Sequence, residues 1–251
     1  MKNEKFYNAV SPFYDSMISM EKSLVRRKTF YGTIFANQNI KLVADLGCGS
    51  GLDSLALASM GLKVIGFDPS AEMIRSAKQN AAKFGAGIQF FRKSIAEISQ
   101  KFTERFDAVV SFGNTLANLD ETEIKIALQK VHHLLKPNGL FLFQILNYTR
   151  IEKKKETVIG FTESDDSLII RFNEILKDEM KFHFLSINKK MISSSNHYST
   201  RIYPHKQKFI STALRQSGFS KTKLYENLLL EKFNADNSKD LIFFTQKLSV
   251  Q

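Results

Sequence analysis

A glycine-rich loop between an apolar run and a helical segment constrains this chain more than any other feature. Residues 42–46 are mostly apolar, as in a strand that is buried on both faces of a parallel sheet. Three glycines follow at alternate positions, Gly47, Gly49 and Gly51, and glycine lets main-chain N–H groups approach a bound molecule closely. A helical pattern begins at Leu52. Strand, loop and helix together predict the ligand-binding corner of a doubly wound α/β domain, beyond the carboxyl ends of its strands.

The residues around this loop distinguish between two classes of cofactor. A dinucleotide site has the pattern G-x-G-x-x-G, but Leu52 stands at the third glycine position. Asp45 places a carboxylate just before the loop, where it would repel a pyrophosphate and suit a ligand with an ammonium group. Residues 45–51 resemble the first motif of the class I S-adenosylmethionine-dependent methyltransferases, which is close to D-x-G-x-G-x-G. The resemblance implies S-adenosyl-L-methionine as the cofactor.

A second strand is predicted at residues 63–67, and it ends at Asp68, Pro69 and Ser70. Asp68 follows the glycine loop at the distance, about 20 residues, at which such folds hold a ribose. A carboxylate accepts hydrogen bonds from both ribose hydroxyls, so Asp68 is the expected ligand of the adenosine ribose. The alternative is that Asp68 or Ser70 only caps the helix that begins near Glu72. In this location the two roles are compatible.

Composition bounds the class of protein. The 251 residues suffice for one α/β domain with an insertion, and 43% hydrophobic residues with 22 phenylalanines indicate a folded globular protein. The only cysteine, Cys48, excludes an internal disulfide framework and a multi-cysteine zinc site, and its place in the glycine loop favours packing over redox chemistry. Residues 1–5 are polar and no apolar run approaches the ~20 residues of a membrane span, so we expect a cytoplasmic protein without a membrane partner.

The formal net charge of +11 raises the hypothesis of nucleic-acid binding. The lysines and arginines are spread along the chain, however, and the densest run is residues 153–155. A run this short is typical of a solvated turn. We therefore expect no specific nucleic-acid partner. A basic nucleic-acid-binding protein that keeps the fold without the chemistry is the alternative.

The N-terminal residues carry an aromatic cluster that includes Phe13 and Tyr14, after a predicted turn at Ser11 and Pro12. Tyr-Asp segments of this kind resemble the lid that covers the methionine end of the cofactor in many class I methyltransferases. The alternative is that Phe13 and Tyr14 only anchor the N-terminus to the core. An amphipathic helix is predicted over residues 21–35. Residues 1–40 as a whole are interpreted as a helical lid.

The predicted cofactor-binding core spans residues 41–147. Its remaining elements are strands over residues 87–91, 106–112 and 140–146, a helix over residues 121–135 and a tight turn at residues 137–139. After the third strand, the related enzymes usually have an acidic residue that faces the adenine, and here Ser94 stands in its place, followed by Ile95. A serine oxygen still accepts a hydrogen bond, so the adenine contact can persist with less charge.

The stretch after the fourth strand bears on the substrate. Nucleic-acid and protein-glutamine amino methyltransferases generally have Asn/Asp-Pro-Pro-aromatic here, and this chain has no such motif. Residues 112–119 and 144–148 instead resemble the glycine/sarcosine N-methyltransferase-like group, whose members commonly have Gly-Asn-Ser-hydrophobic-x-His-Leu at the first of these segments. Asn118 replaces the histidine, which puts any role of that histidine in doubt. The candidate catalytic residues are Asn114 and Tyr14.

The pattern after Tyr148 leaves the doubly wound fold. Strands predicted at residues 168–175, 180–187 and 191–203 form an antiparallel insertion within residues 148–204. The segment 205–251 supplies a helix over residues 205–216 and closing strands over residues 219–225 and 240–247. In the resembling enzymes such an insertion covers the mouth of the active site. Arg201 and Tyr203 are the candidates for an anionic substrate group, because guanidinium pairs with carboxylate bidentately, and an exposed Arg201 without a substrate role is the alternative.

The predicted fold is a single α/β domain: a doubly wound, mostly parallel seven-stranded sheet with an antiparallel last strand and a small antiparallel β insertion after strand five. The resemblance implies in-line methyl transfer from S-adenosyl-L-methionine to a small molecule, at the nitrogen of an amine or amino acid. An O- or C-methyltransferase for a phenolic or quinone-like acceptor is the alternative. Such chemistry needs no metal and no protein nucleophile, because positioning supplies most of the catalysis. The residues expected at the cofactor are Asp45, Gly47, Cys48, Gly49, Gly51, Asp68, Pro69, Ser94, Ile95, Phe112 and Gly113.

Overall fold

Eleven strands and seven α-helices are formed by the residues that the computed structural model describes, which are 2–163, 166–176, 179–220 and 222–248. The helices are α1 (Lys2–Ile18), α2 (Met20–Phe35), α3 (Leu52–Ala58), α4 (Ala71–Lys83), α5 (Glu121–Leu134), α6 (Tyr148–Lys154) and α7 (Gln207–Gln216). The strands are β1 (Leu42–Leu46), β2 (Lys63–Asp68), β3 (Gln89–Arg92), β4 (Phe106–Ser111), β5 (Leu135–Leu146), β6 (Val158–Glu163), β7 (Ser167–Ile175), β8 (Met180–Asn188), β9 (Asn196–Ile202), β10 (Lys223–Tyr225) and β11 (Asp240–Gln246). None of the described helices is long and apolar enough to cross a membrane.

Seven of the strands form one sheet in the order β3-β2-β1-β4-β5-β11-β10. The strands from β3 to β5 are parallel to their neighbours, whereas β11 runs antiparallel between β5 and β10. Successive residues of a strand point to opposite faces, so Val43 of β1 packs with α2 and α3 while Ala44 packs with α5 and α7. The predicted doubly wound, mostly parallel seven-stranded sheet with an antiparallel last strand is confirmed.

Two predicted boundaries in this sheet need correction. The tight turn predicted at residues 137–139 lies inside β5 as a bulge, in which Asn138 has the left-handed φ of 60° and Gly139 is buried, because β4 pairs Phe106 with Leu135 and then Ala108 with Leu140. The closing strand predicted at residues 219–225 is reduced to β10, and Phe219 forms only an isolated bridge. Residue 221 of that range lies outside the described residues.

The turn predicted at Ser11 and Pro12 is wrong, because α1 continues through both residues. Proline inside a helix removes one main-chain hydrogen bond, but tertiary contacts on both sides of α1 outweigh that loss. Phe6 is buried against the insertion, and the Ser11 hydroxyl lies 3.0 Å from the hydroxyl of Ser76 in α4. The helix is interrupted instead at Ser19, whose left-handed φ of 49° separates α1 from α2.

The insertion is a four-stranded antiparallel sheet, β6-β7-β8-β9, which we call the inserted sheet. The strands predicted at residues 168–175 and 180–187 are confirmed as β7 and β8, although residues 177 and 178 of the turn between them lie outside the described residues. The strand predicted at residues 191–203 is divided into a 3₁₀ turn at Ile192–Ser194 and β9. Helix α6 and strand β6 were not predicted, and β6 is an edge strand whose apolar side chains are largely exposed.

Helix α1 lies between the inserted sheet and the cofactor-binding core. Ile169 of β7 and Phe184 of β8 pack on Phe6 and Val10 of α1, and Met73 of α4 belongs to the same cluster. Residues that pair directly across a ladder point to the same side of a sheet. The side on which Ile169 and Phe184 lie is therefore turned toward α1, and we call it the inner face.

Candidate active site

The glycine loop is fixed at the carboxyl edge of the sheet by the next strand. The N–H groups of Gly47 and Cys48 donate to the Phe67 carbonyl at 2.8 and 3.1 Å. Gly47 has a φ of 69°, and a Cβ at this position would collide with the side chain of Thr115. Only glycine therefore allows the loop after β1 and the loop after β4 to approach each other this closely.

Asp68 ends β2 beside the glycine loop. Its Oδ2 accepts a hydrogen bond from the Gly49 N–H at 2.9 Å, and its Oδ1 accepts one from the Ser70 N–H at 2.8 Å. Burial raises the pKa of Asp68 to about 6, and the two main-chain donors oppose this shift. The cap of α4 is Ser70, whose hydroxyl accepts from the Met73 N–H at 3.1 Å. Asp68 thus remains at the edge of the sheet, where a ligand can reach it.

Asp45 is buried behind the loop. The Ser54 hydroxyl donates to its Oδ2 at 2.6 Å. Burial, and then the charge of Asp53, hold the pKa of Asp45 well above its usual range. Asp53 itself accepts from the Tyr31 hydroxyl at 2.7 Å and lies 3.1 Å from the Arg27 Nε. Buried carboxylates that repel each other favour a positively charged ligand nearby.

A cavity of about 110 Å³ lies between the glycine loop, α1 and the loop after β4. Eight of the predicted site residues line it: Tyr14, Gly47, Gly49, Asp68, Pro69, Ser94, Ile95 and Gly113. The described residues that line it do not include five others predicted for this site, which are Asp45, Cys48, Gly51, Phe112 and Asn114. The structure thus brings the glycine loop, the end of β2 and the loop after β4 together.

Two of the predicted cofactor residues have structural contacts of their own. The N–H and hydroxyl of Ser94 donate to the Glu97 carboxylate at 2.9 and 2.7 Å, which caps a 3₁₀ turn. Phe112 is buried against Phe30, and the Arg27 guanidinium lies 4.5 Å from the centre of its ring. Cofactor contacts by Ser94 and Phe112 stay predictions.

Asn114 connects the loop after β4 to the end of β5. Its N–H donates to the Gln144 Oε1 at 2.9 Å, and its Oδ1 accepts from the Leu146 N–H at 3.0 Å. Its Nδ2 donates to the hydroxyl of Tyr148 at 2.7 Å. Asn114 therefore holds Tyr148 in place, and its predicted catalytic role stays a prediction.

Two tyrosines of α1 cover the cavity. Tyr14 lies against both glycines. A Cβ added to Gly49 would be 3.6 Å from the Tyr14 ring, and one added to Gly113 would be 3.7 Å from the Tyr14 hydroxyl. Tyr7 was not among the predicted site residues. It accepts a hydrogen bond from the Asn118 Nδ2 at 3.2 Å. Burial raises the pKa of both tyrosines, to about 12 for Tyr7, so both keep their protons at neutral pH. Residues that are seven positions apart lie on the same face of a helix. The spacing of Tyr7 and Tyr14 would therefore have indicated Tyr7 as a site residue if an unbroken helix had been predicted through Pro12.

Arg201 and Tyr203 lie beside a wider cavity of about 630 Å³. It shares residues of α1 and of the loop after β3 with the smaller cavity, so the two adjoin. The Arg201 side chain is 48% exposed, and its Nε lies 2.8 Å from the Glu179 carboxylate. The Tyr203 N–H donates to the Ala117 carbonyl at 2.7 Å. Substrate binding by this pair stays a prediction.

Comparison with known proteins identifies the family. Residues 43–139 match a family described as methyltransferase domain. A carboxy-S-adenosyl-L-methionine synthase of Campylobacter concisus is 30% identical over 178 residues, which cover 65% of this chain and 74% of that protein. The chain belongs to the class I S-adenosylmethionine-dependent methyltransferases. The resemblance based on the glycine loop is thereby confirmed.

Other proteins extend the similarity of this methyltransferase beyond its core. A protein of Geobacillus sp. named as a methyltransferase is 28% identical over 168 residues, or 64% of this chain and 66% of that protein. The glycine/sarcosine N-methyltransferase of Aphanothece halophytica is 22% identical over 246 residues, or 93% of this chain and 86% of that enzyme. An S-adenosylmethionine-dependent methyltransferase from Clostridium acetobutylicum has the same fold, with a TM-score of 0.80, 16% identity and coverage of 97% of this chain and 99% of the other. The protein is an enzyme, and its cofactor is S-adenosylmethionine.

Proposed function

We propose that this methyltransferase transfers its methyl group to a nitrogen of a small amine. The observation that supports a small acceptor best is the position of Tyr7 and Tyr14, whose side chains line the cavity over the glycine loop and close it beneath α1. Transfer to nitrogen is supported by the similarity to a glycine/sarcosine N-methyltransferase along 93% of the chain.

The residues that line the cavity fit the cofactor. In this proposal the Asp68 carboxylate accepts hydrogen bonds from the ribose hydroxyls, since each of its oxygens has accepting capacity beyond its one main-chain donor. Gly47 and Gly49 border the methionine part, where no side chain separates it from the backbone. Asp45 lies behind the loop, where a bound sulfonium and ammonium would lower its raised pKa and so favour its ionised form. Pro69, Ser94 and Ile95 border the adenine.

Catalysis by this chain is positioning. S-adenosylmethionine would supply, when bound, a methyl group whose bond to the sulfonium sulfur breaks in line with the attacking atom, and the thioether would be the leaving group. Holding the acceptor in that line can contribute ~7–11 kcal/mol. The Tyr14 hydroxyl lies beside Gly113, where it is placed to bind the acceptor. Asn114 holds the Tyr148 hydroxyl by a hydrogen bond and so helps to shape the same site. Because these tyrosines keep their protons, none of them is the base that would deprotonate an ammonium.

Nucleic acid is not the acceptor in this proposal. Lys28, Lys41, Lys63 and Arg105 line a groove of about 1230 Å³ at the amino-terminal edge of the sheet, away from the cofactor cavity. Binding of RNA or DNA should therefore be weak and should fall steeply with salt. Tight, salt-resistant and sequence-selective binding would contradict the proposal.

Product analysis tests the proposed function. The enzyme is incubated with methyl-labelled S-adenosylmethionine and a metabolite extract, with Asp68→Ala as the matched inactive control, and products are identified by mass spectrometry. We expect label on the nitrogen of a small product with the wild type only. Label on a phenolic oxygen or on carbon would instead support the alternative acceptor class.

A further inference from the structure

The groove at the amino-terminal edge of the seven-stranded sheet gathers positive charge from distant parts of the chain. We call it the basic groove. The charged residues among the described residues that line it are five cations and one carboxylate: Lys28, Lys41, Lys63, Arg105, Lys136 and Asp107. Each cation comes from a different element or connection, so the fold collects on one surface charges that are scattered along the sequence.

The cations follow the strands of the sheet. Lys63 is the first residue of β2, Lys41 directly precedes β1 and Arg105 directly precedes β4. These strands are parallel neighbours in the order β2-β1-β4. Parallel strands begin at the same edge and lie about 4.8 Å apart, so the backbone positions of the three cations form a row with this step. Lys28 of α2 adds a fourth cation to the groove.

The protein leaves most of this charge without a counter-charge. The Lys136 Nζ lies 2.6 Å from the Asp107 carboxylate, which also accepts the N–H groups of Lys41 and Leu42. The other four cations are exposed and form no ion pair within the described parts of the chain. Helices α3 and α4 end at the groove, but each carboxyl end offers only about half a negative charge. The groove therefore attracts an anionic partner.

Apolar side chains form much of the remaining surface of the groove. Leu55, Val64 and Ile65 line it and are buried, so they form its floor. Val25 of α2 and Phe84 after α4 also line it, and they are 68% and 42% exposed. Exposed apolar side chains that continue into a buried apolar floor indicate a surface that another molecule covers.

The lining favours a protein partner over a nucleic acid or a membrane. Single-stranded nucleic acids stack their bases on aromatic side chains, and Phe84 is the only aromatic residue among the described residues of the groove. A membrane takes up apolar side chains that protrude into it, whereas the floor of this groove is recessed. On one face of an α-helix, residues three or four positions apart are about 4.5–6 Å apart along the axis. This range includes the step between the cations, so a row of carboxylates on a helix matches them.

We propose that the basic groove docks an acidic amphipathic helix of a partner protein. The helix lies across the beginnings of β2, β1 and β4, with carboxylates toward Lys63, Lys41 and Arg105 and aliphatic side chains on the apolar floor. The cofactor cavity lies at the opposite ends of the same strands, about 15 Å away for a strand of five residues such as β1. A docked partner leaves the active site open, and this surface does not depend on the proposed N-methylation.

Binding of a designed peptide tests the proposal. The probe is a fluorescein-labelled helical peptide of about 14 residues, or about four turns, with glutamates along one face and leucines along the adjoining face. Two comparison peptides have lysine in place of every glutamate or serine in place of every leucine. We expect the first peptide to bind at least about 10-fold more tightly than either of the others, by fluorescence anisotropy at physiological salt. Equally tight binding of either comparison peptide, or no binding of the first, would overturn the proposal.

Matched variants locate the binding site. The double substitution Lys41→Gln and Lys63→Gln should weaken binding of the acidic peptide about fivefold, because two exposed ion pairs are lost. The control, Lys208→Gln and Lys239→Gln, removes the same charge from exposed positions outside the groove and should change binding less than twofold. An equal loss in the control would show attraction by the net charge alone and would overturn the site.

The apolar part of the groove and the other classes of partner are tested in the same assay. Phe84→Ala should weaken binding of the acidic peptide about threefold, because it removes apolar contact, while the affinity for S-adenosylhomocysteine stays unchanged. Single-stranded RNA and vesicles of phosphatidylglycerol are then offered in place of the peptide. If either binds more tightly than the peptide and loses that binding in the double variant of Lys41 and Lys63, the helical partner is wrong and the groove is assigned to that ligand.

Discussion

The cofactor cavity and the inner face of the inserted sheet lie on opposite sides of α1 and treat buried polar groups differently. On the cofactor side, both oxygens of Asp68 accept main-chain N–H groups and Asp45 accepts the Ser54 hydroxyl. On the inner face, Arg171 Nε and both polar atoms of Asn173 have no partner among the described residues. The two carboxylates of the cofactor side are thus held by protein donors, although the Ser50 hydroxyl of the glycine loop is also buried without a partner, whereas the side-chain polar atoms of Asn173 on the inner face have none.

This difference suggests that cofactor binding and acceptor binding are assigned to different parts of the fold. A cofactor site built from the glycine loop and one carboxylate at the ends of strands does not depend on the acceptor, so one such site can serve many acceptors. An acceptor site built from side chains on an added sheet can change with two or three substitutions. Helix α1 is the wall that both share: its Asn8 accepts from the Ser70 hydroxyl at 2.7 Å, and its Glu4 lies 2.6 Å from Arg92.

The strongest test of the comparison is Asp68→Ala, which should remove most of the affinity for S-adenosylhomocysteine. Two charge-assisted hydrogen bonds to the ribose are lost, so we expect at least about a 100-fold weaker dissociation constant. The rise in melting temperature that the ligand produces by mass action should shrink accordingly. Asp236→Ala, at an exposed ion pair with Lys153, is the control and should leave the shift unchanged. An undiminished shift in Asp68→Ala would remove this residue from the site, and a wild type without any shift would contradict cofactor binding.

Cofactor affinity should also depend on pH through Asp68. The pKa of this carboxyl is raised to about 6, and only the ionised form accepts from both ribose hydroxyls. Affinity is therefore nearly full at pH 7 and decreases as the pH falls through 6, by about tenfold between pH 7 and pH 5. Calorimetry with S-adenosylhomocysteine at both pH values measures the effect. Asp68→Asn, which has no charge to lose, should bind weakly at both, and an equal pH dependence in this variant would assign the effect to another group.

Tyr14→Phe should affect methyl transfer to the acceptor while leaving the affinity for the cofactor nearly unchanged. The loss of one neutral hydroxyl at the acceptor is expected to lower kcat/KM for methyl transfer about fivefold while cofactor affinity changes less than twofold. Tyr225→Phe, in β10, is the matched control. Steady-state kinetics and calorimetry measure the two quantities, and an equal fall in cofactor affinity would place Tyr14 at the cofactor alone.

Arg201→Ala is expected to have the smallest effect. Its ion pair with Glu179 is half exposed, and such pairs contribute little, so the apparent KM for an anionic acceptor should rise less than about fivefold, with little change in cofactor affinity. A large loss of cofactor affinity would show that Arg201 belongs to the cofactor site.

The helical interruption placed at Pro12 shows where local rules failed. Proline and a preceding serine are turn signals, and nothing nearby in the sequence opposes them. The helix continues because α1 is packed on one side against α4 and on the other against the inserted sheet, contacts between residues more than 60 positions apart. Tyr7 was missed for the same reason, since its alignment with Tyr14 depends on an unbroken helix.

The sequence by itself predicted the sheet, the cofactor and the residues proposed to bind it, whereas only the tertiary structure decided which side chains of the inserted sheet face α1. Glycines that need positive φ, an aspartate at the end of a strand and a serine cap are recognisable because their chemistry is local to a few consecutive residues. Arg171 and Arg201 both lie on strands of the inserted sheet and look alike in sequence. Side chains along a strand point alternately to its two faces, so the sequence alone does not tell which face of the sheet each arginine is on. Only the packing of Ile169 and Phe184 on α1 settles which face is turned inward, and that contact joins distant parts of the chain.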